Sequence, residues 1–206
     1  MTPWDAFFRE RLTWLLSEKK SIIDIGGGLR VSKEKGNRYD SRNEWIGELI
    51  RTHHIAYKIL DPIPDYKPDI IGDIHHLPLA DNSEEAIACI AVLEHVTDPF
   101  LASREMHRVL KPGGMCLVYL PFLYYFHAEK GYYGDYWRYT KQGLGLLFKD
   151  FSTIEIQSVR GAIGTLVRLT PLGRYRWLER IAYYADIAFG KLASNQVSGY
   201  VVFLVK

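Results

Sequence analysis

Cysteine is scarce in this chain. Of 206 residues only Cys89 and Cys116 are cysteines, each inside an apolar run with no ligand-like neighbours. That usage fits a reducing compartment and two small buried hydrophobes, not a disulfide framework. Long apolar runs are also missing, since none approaches the ~18 residues of a membrane span. The opening MTPWDAFFRERL lacks the basic and apolar regions of a secretory signal, so a cytoplasmic location is expected. Charge of one sign is not in excess: 26 Lys and Arg against 24 Asp and Glu leave +2, too little to argue for nucleic acid. Repeats, low-complexity tracts and Pro- or Ser-rich linkers are absent, so one domain over 1–206 is expected.

What is present is an alternation of strand and helix signals. Thr2 and Pro3 open a helix over 3–18 with Phe7, Phe8, Leu12, Leu15 and Leu16 along one side. SIIDIGG reads as a buried strand breaking into a tight turn, followed by a polar segment over 29–40. Ser41 and Glu44 form a capping-box pattern ahead of a helix to about His53. IAYKILD, DII and EAIACIAVL are the next three strands. Asp98 and Pro99 start a helix that LKPGG ends, and MCLVYLP is the fifth strand. Thr140 caps a short helix to Phe148, and STIEIQSV alternates as the sixth strand. Thr170 and Pro171 open one long helix to about Leu192, and SGYVVFLVK is the seventh strand, in either direction. The pattern predicts an α/β doubly wound, mostly parallel sheet with helices on both faces and ligands at the carboxyl ends of its strands.

The strand ends carry acids in order. Asp24 stands two residues before Gly26, Gly27 and Gly28, and position 31, where a dinucleotide fingerprint has its third glycine, is Val31. A carboxylate there repels a pyrophosphate and attracts an ammonium or sulfonium. Asp61 ends the second strand and is placed to accept both hydroxyls of a ribose, while Asp73 can accept from an exocyclic amine of adenine. These three acids describe a cationic nucleoside better than a nucleotide.

IIDIGGG, GDIHHLPLADNSEEAIACIAVLEHVTDP and EMHRVLKPGG, from about Ser21 to Leu120, resemble the class I S-adenosylmethionine-dependent methyltransferases, in particular small single-domain members with an L-E-H-V segment after the fourth strand. The resemblance implies a Rossmann-like, seven-stranded sheet with an antiparallel last strand, and S-adenosylmethionine as cofactor. It implies that Asp24 and Gly26 to Gly28 hold the methionine end, Asp61 the ribose, and Asp73 with Ile74 the adenine. Glu94 and His95 fall on the methionine and acceptor side. Arg30, Val31 and the insert after them depart from the family's pattern.

Residues 121–140 pack nine aromatic side chains between Phe122 and Tyr139 directly after the fifth strand, on the expected acceptor side. Aromatic walls exclude water and their faces attract a sulfonium. His127 has the pKa range of a base for an acceptor hydroxyl, Asp135 is placed to orient it, and Arg138 to hold an anionic group. The segment DYWRYT is loosely similar to methyltransferase-like proteins of glycan assembly. The expectation is methyl transfer, at oxygen, to a small-molecule or glycan-like acceptor contacted by His95, Tyr125, Tyr133, Tyr136 and Arg138. The competing readings are a non-catalytic binding module on the same fold and, for Trp137 to Tyr139, a packed corner with an ion pair. No metal site is expected, since His75 and His76 lack convergent partners. Arg174, Arg176, Arg180 and Lys191 beside Tyr175, Trp177, Tyr183, Tyr184 and Phe189 suit either a membrane surface or a core face with snorkelling cations, and the core face is the expectation.

Overall fold

The structure, a computed structural model, describes residues 1–36 and 38–206, with Arg176 given by its backbone. Seven strands form one sheet: β1 (Ser21–Ile25), β2 (Ala56–Asp61), β3 (Ile70–Ile71), β4 (Glu84–Ile90), β5 (Leu110–Pro121), β6 (Thr153–Val159) and β7 (Gly199–Val205). Their order across the sheet is β3-β2-β1-β4-β5-β7-β6. β1 lies parallel to β2 and β4, β2 to β3, and β4 to β5, whereas β7 runs antiparallel to both β5 and β6. The direction left open by pattern is thus the one the resemblance implies.

Period-two alternation sorts each strand between two cores. In β1, Ile23 and Ile25 enter the core that also holds Met106 and Leu144, while Ile22 enters the opposite one with Leu12, Leu15 and Ile46. The first core packs α3 (Pro99–Val109) and α4 (Lys141–Leu147) on one face of the sheet; the second packs α1 (Pro3–Glu18) and α2 (Glu44–Thr52) on the other. The caps on α1, α3 and α4 form where the sequence puts them: Thr2, Asp98 and Thr140 accept from Asp5, Leu101 and Gly143 backbone N–H.

Four local expectations are corrected. Ser41 and Glu44 make no capping box, because Asp40 accepts from Arg42 N–H and a 3₁₀ turn over Ser41–Asn43 precedes α2. β4 stops at Ile90, and Leu93–His95 form a 3₁₀ turn beyond it. LKPGG ends α3, with Leu110 as its C-cap, but β5 already starts there and not at Met115, through an irregular pairing opposite Glu84 and Ala86. The single helix expected over 170–192 is instead a 3₁₀ turn over Pro171–Arg174 and α6 (Arg176–Ala188), and an unforeseen helix, α5 (Ala162–Leu169), precedes them. Gly173 explains the break. A Cβ there would lie 2.8 Å from Arg168 backbone, so the chain folds back tightly at this glycine.

α6 also departs from the core-face expectation. Trp177, Ile181 and Tyr184 are 61%, 57% and 55% exposed, and the helix buries chiefly Ala182 and Asp186. The side chain of Arg176 lies outside the described residues. Among those described, no helix is long and apolar enough to cross a membrane.

Candidate active site

The carboxyl ends of β1, β2, β4 and β5 open into one cavity of about 1840 Å³, larger than the ~300–1,000 Å³ of ordinary small-molecule pockets. β1 delivers the glycine turn. Gly26 has φ +76°, and a Cβ on it would sit 2.5 Å from Val92; at Gly28 a Cβ would sit 2.4 Å from the Ile90 carbonyl oxygen. Glycine here lets the turn press against the end of β4 while its backbone borders the cavity.

Asp24 is placed differently from the expectation. It shares a strand face with Ile22, is fully buried, and is not among the cavity-lining residues. Its Oδ2 accepts from Leu29 N–H at 3.1 Å and from the Tyr57 hydroxyl at 2.7 Å, so it braces the turn from behind. Its Oδ1 has no hydrogen-bond partner among the described residues. Burial pushes its carboxyl from 3.8 up to about 7, against the bonds from Tyr57, Leu29 and Gly28. Gly27 likewise stays off the cavity wall, its would-be Cβ facing Gly36 and Ile59.

Asp61, at the end of β2, lines the cavity at 4% exposure. Its Oδ1 accepts from Ile63 N–H at 2.9 Å, and burial shifts its carboxyl upward against that bond. Asp73 and Ile74 also line the cavity; Asp73 accepts from His75 N–H at 2.9 Å and pairs with the His75 ring at 2.6 Å.

The aromatic segment is pinned to the turn after β4. Tyr136 and Trp137 N–H donate to the Glu94 carbonyl, Trp137 Nε1–H to Val96 O at 2.8 Å, and the Tyr139 hydroxyl to Leu93 O at 2.6 Å. These bonds set His127 beside Glu94 and His95. His127 Nε2 lies 3.7 Å from Glu94 Oε1, and His95 Nε2 lies 3.9 Å from the same oxygen. Nδ1 of His127 is 3.0 Å from Tyr125 O and 3.3 Å from Asp135, and Nδ1 of His95 is 2.6 Å from Gly134 O. Carbonyl oxygens accept, so each Nδ1 carries a proton toward its carbonyl and each Nε2 is the ring nitrogen nearest Glu94. The Glu94 carboxylate raises the His127 pKa, against burial and with help from Tyr125 O and Asp135.

Glu94 itself is 1% exposed, and its Oε2 has no partner among the described residues. A buried acceptor left unpaired on a cavity wall suits a cationic or hydrogen-bond-donating ligand. The ligand-type atoms of Glu94, His95 and His127 lie within 4.8 Å of one another, a set that could take a divalent ion and that sequence spacing did not disclose.

Tyr133, Tyr136 and His95 border the cavity, but Tyr125 and Arg138 do not. Arg138 is no free anion clamp: its Nη1 and Nη2 grip Asp135 at 2.5 and 2.7 Å, and its other donors reach Tyr124, Tyr125 and Trp137 carbonyls. The Arg138 guanidinium holds the Asp135 carboxyl at about 2. The packed-corner reading therefore describes Arg138, and Asp135 sits behind His127. Residues unforeseen on the wall include Trp4, Tyr119 and the Arg160–Glu179 pair, the latter joined at 3.0 Å. Only tertiary packing brings them there.

This sheet order, with a glycine turn after β1, an acid ending β2 and an antiparallel β7, defines the class I methyltransferase fold. The family model described as "Methyltransferase domain" matches residues 58–118. The ubiquinone/menaquinone biosynthesis C-methyltransferase UbiE of Vibrio cholerae is 33% identical over 110 residues, 47% of this chain and 39% of that protein. The chain thus spans well under half the length of that curated relative. A SAM-dependent methyltransferase from Archaeoglobus fulgidus superposes with a TM-score of 0.60 at 13% identity, covering 98% of this chain and 94% of the other. An S-adenosylmethionine-dependent methyltransferase from Mesorhizobium loti gives 0.53 at 16% identity, covering 98% and 100%. The fold is that of the class I S-adenosylmethionine-dependent methyltransferases, and residues 58–118 carry the match to the methyltransferase domain. S-adenosylmethionine, the cofactor of the methyltransferases that share this fold, fits the residues present, since the glycine cradle admits close backbone approach and buried Glu94 and Asp61 offer acceptor oxygens.

Proposed function

We propose that the protein transfers the methyl group of S-adenosylmethionine to oxygen of a small-molecule or glycan-like acceptor. The observation that carries this reading is the placement of His127 Nε2 beside buried Glu94, in the same cavity as the glycine turn and Asp61. When bound, the cofactor supplies an electrophilic methyl on a sulfonium for in-line displacement. Asp61 would accept from its ribose hydroxyls, Asp73 and Ile74 would border its adenine, and the backbone of Gly26 and Gly28 would admit its methionine end, with Gly27 shaping the turn from behind. Asp24 keeps that turn in shape and adds negative charge behind it once pH rises above about 7.

On the acceptor side, His127 Nε2 takes the hydroxyl proton as the oxygen gains the methyl group. Asp135 and Tyr125 O hold the other ring nitrogen, so the receiving nitrogen is the one that faces the cavity. Glu94 stabilises the imidazolium that results. His95, Tyr133 and Tyr136 wall the acceptor and keep water out, which helps positioning more than bond breaking. Buried Cys89 and Cys116 suit work in the cytoplasm.

The test is a screen of sugar nucleotides, glycans and small phenols for transfer of a labelled methyl group, followed by mapping of the methylated atom. Methyl on oxygen supports the reading. Methyl on carbon or nitrogen overturns the oxygen assignment, and no transfer to any acceptor, with cofactor binding intact, favours a binding module.

A further inference from the structure

We propose that the outer face of α5 and α6 docks on an anionic lipid bilayer. The proposal rests on this surface alone and does not depend on the methyl-transfer reading. On α6, Trp177, Ile181 and Tyr184 are spaced as one helical stripe, and on α5 and the turn after it Leu166, Leu169 and Leu172 are 64%, 42% and 52% exposed. The two helices are locked together, because Asp186 of α6 accepts from Ile163 and Gly164 N–H at the start of α5 at 2.8 and 2.9 Å. The apolar chains therefore sit on a joined surface and not on two loose ends.

Charge identifies the occupant. Residues 162–195 carry five Lys and Arg against Glu179 and Asp186, a net of +3 where the whole chain has +2. Neither acid presents a free carboxylate on this surface: Glu179 is bonded to Arg160, and Asp186 is 1% exposed and held by the Ile163 and Gly164 N–H groups. Arg174, Arg180 and Lys191 are exposed among the apolar chains. A second copy on a two-fold axis would set this basic face against itself, which opposes self-association. Interleaved Trp, Tyr and Leu with cations suit the headgroup boundary of an anionic leaflet, where the rings and aliphatic chains enter and the cations meet phosphate. Trp177, Arg180 and Tyr184 also border the cavity, so docking would bring its rim to the lipid surface.

The experiment is co-sedimentation of the full chain with phosphatidylcholine vesicles, with and without phosphatidylglycerol, at low and high salt. The protein should pellet with the anionic vesicles, and much less with neutral ones or at high salt. Arg174→Ala should weaken anionic-vesicle binding about fivefold, as loss of one surface cation implies. Leu166→Glu with Leu172→Glu, both off the cavity wall, should weaken it at least tenfold. Both variants should keep wild-type circular dichroism and affinity for S-adenosylmethionine, and Arg174→Ala serves if the double variant fails to fold. Protein that stays in the supernatant with anionic vesicles overturns the proposal. So does a stable dimer, seen by sedimentation velocity, that the Leu variants dissociate.

Discussion

Replacing Asp24 with Asn should make the protein more stable relative to wild type as pH rises, and the size of the effect follows from burial. The carboxyl moves from 3.8 to about 7 on folding, chiefly because ionising it inside the protein strands a charge away from water. Between those two values the folded state holds a proton that the unfolded chain has released. A raised carboxyl of this kind contributes stability below pH 3.8 and loses it as pH climbs through 7, at about 1.4 kcal/mol per pH unit. The full loss is about 4 kcal/mol, and the part between pH 5 and 7 is roughly 2–3 kcal/mol.

Asn keeps an oxygen to accept from Leu29 N–H and the Tyr57 hydroxyl, so the turn remains braced while the ionisation cost disappears. Urea titrations of both proteins at half-unit pH steps from 4.5 to 8 isolate the effect, because other titrating groups cancel in the difference. For a chain of this size the gap between melting temperatures should widen by roughly 5–10 °C from pH 5 to 7. A difference that is flat with pH, or that favours wild type increasingly as pH rises, would refute the reasoning. The same substitution should weaken binding of a cationic cofactor at pH 8, where wild-type Asp24 is ionised, and less so at pH 6.

Three further outcomes are expected. Gly28→Ala should cost about 1–3 kcal/mol in urea denaturation, since its Cβ meets the Ile90 carbonyl oxygen at 2.4 Å, and should lower cofactor affinity too. His127→Ala should leave cofactor binding intact and cut turnover on the acceptor found by screening by about 10²–10⁴; undiminished turnover would remove His127 from the mechanism. Tyr139→Phe breaks the 2.6 Å bond to Leu93 O that holds the aromatic segment to the β4 turn, and should raise KM for the acceptor more than the Kd for the cofactor.

Local chemistry made much of this fold legible. A β-branched run ending in glycine marks β1, an apolar run ending in an acid marks β2, and the caps at Thr2, Asp98 and Thr140 mark helix starts without tertiary help. Asp24 lies behind the turn for a reason its strand pattern carries: it alternates with Ile23 and Ile25, so its side chain takes the Ile22 face. Thr170 and Pro171 carry a helix-start signal, but the close approach of Gly173 to Arg168 shortens the result to one 3₁₀ turn.

The His127–Glu94 pairing has no local signature. It exists because backbone N–H groups of Tyr136 and Trp137 reach back to the Glu94 carbonyl, a contact across about forty residues that periodicity does not encode. Arg138 shows the opposite case, since an acid three residues earlier is a common ion-pair spacing and fits the packed corner it occupies. The exposed stripe of α6 could not be told from a core face by pattern alone, because both need the same period.

Isothermal calorimetry of the wild-type protein with S-adenosylmethionine and its demethylated product tests the central claim most directly. The account predicts saturable binding of both ligands and at least a tenfold loss in Asp61→Ala, whose carboxylate borders the cavity at the end of β2. No heat from either ligand at millimolar concentration, with a folded protein in the cell, would contradict it.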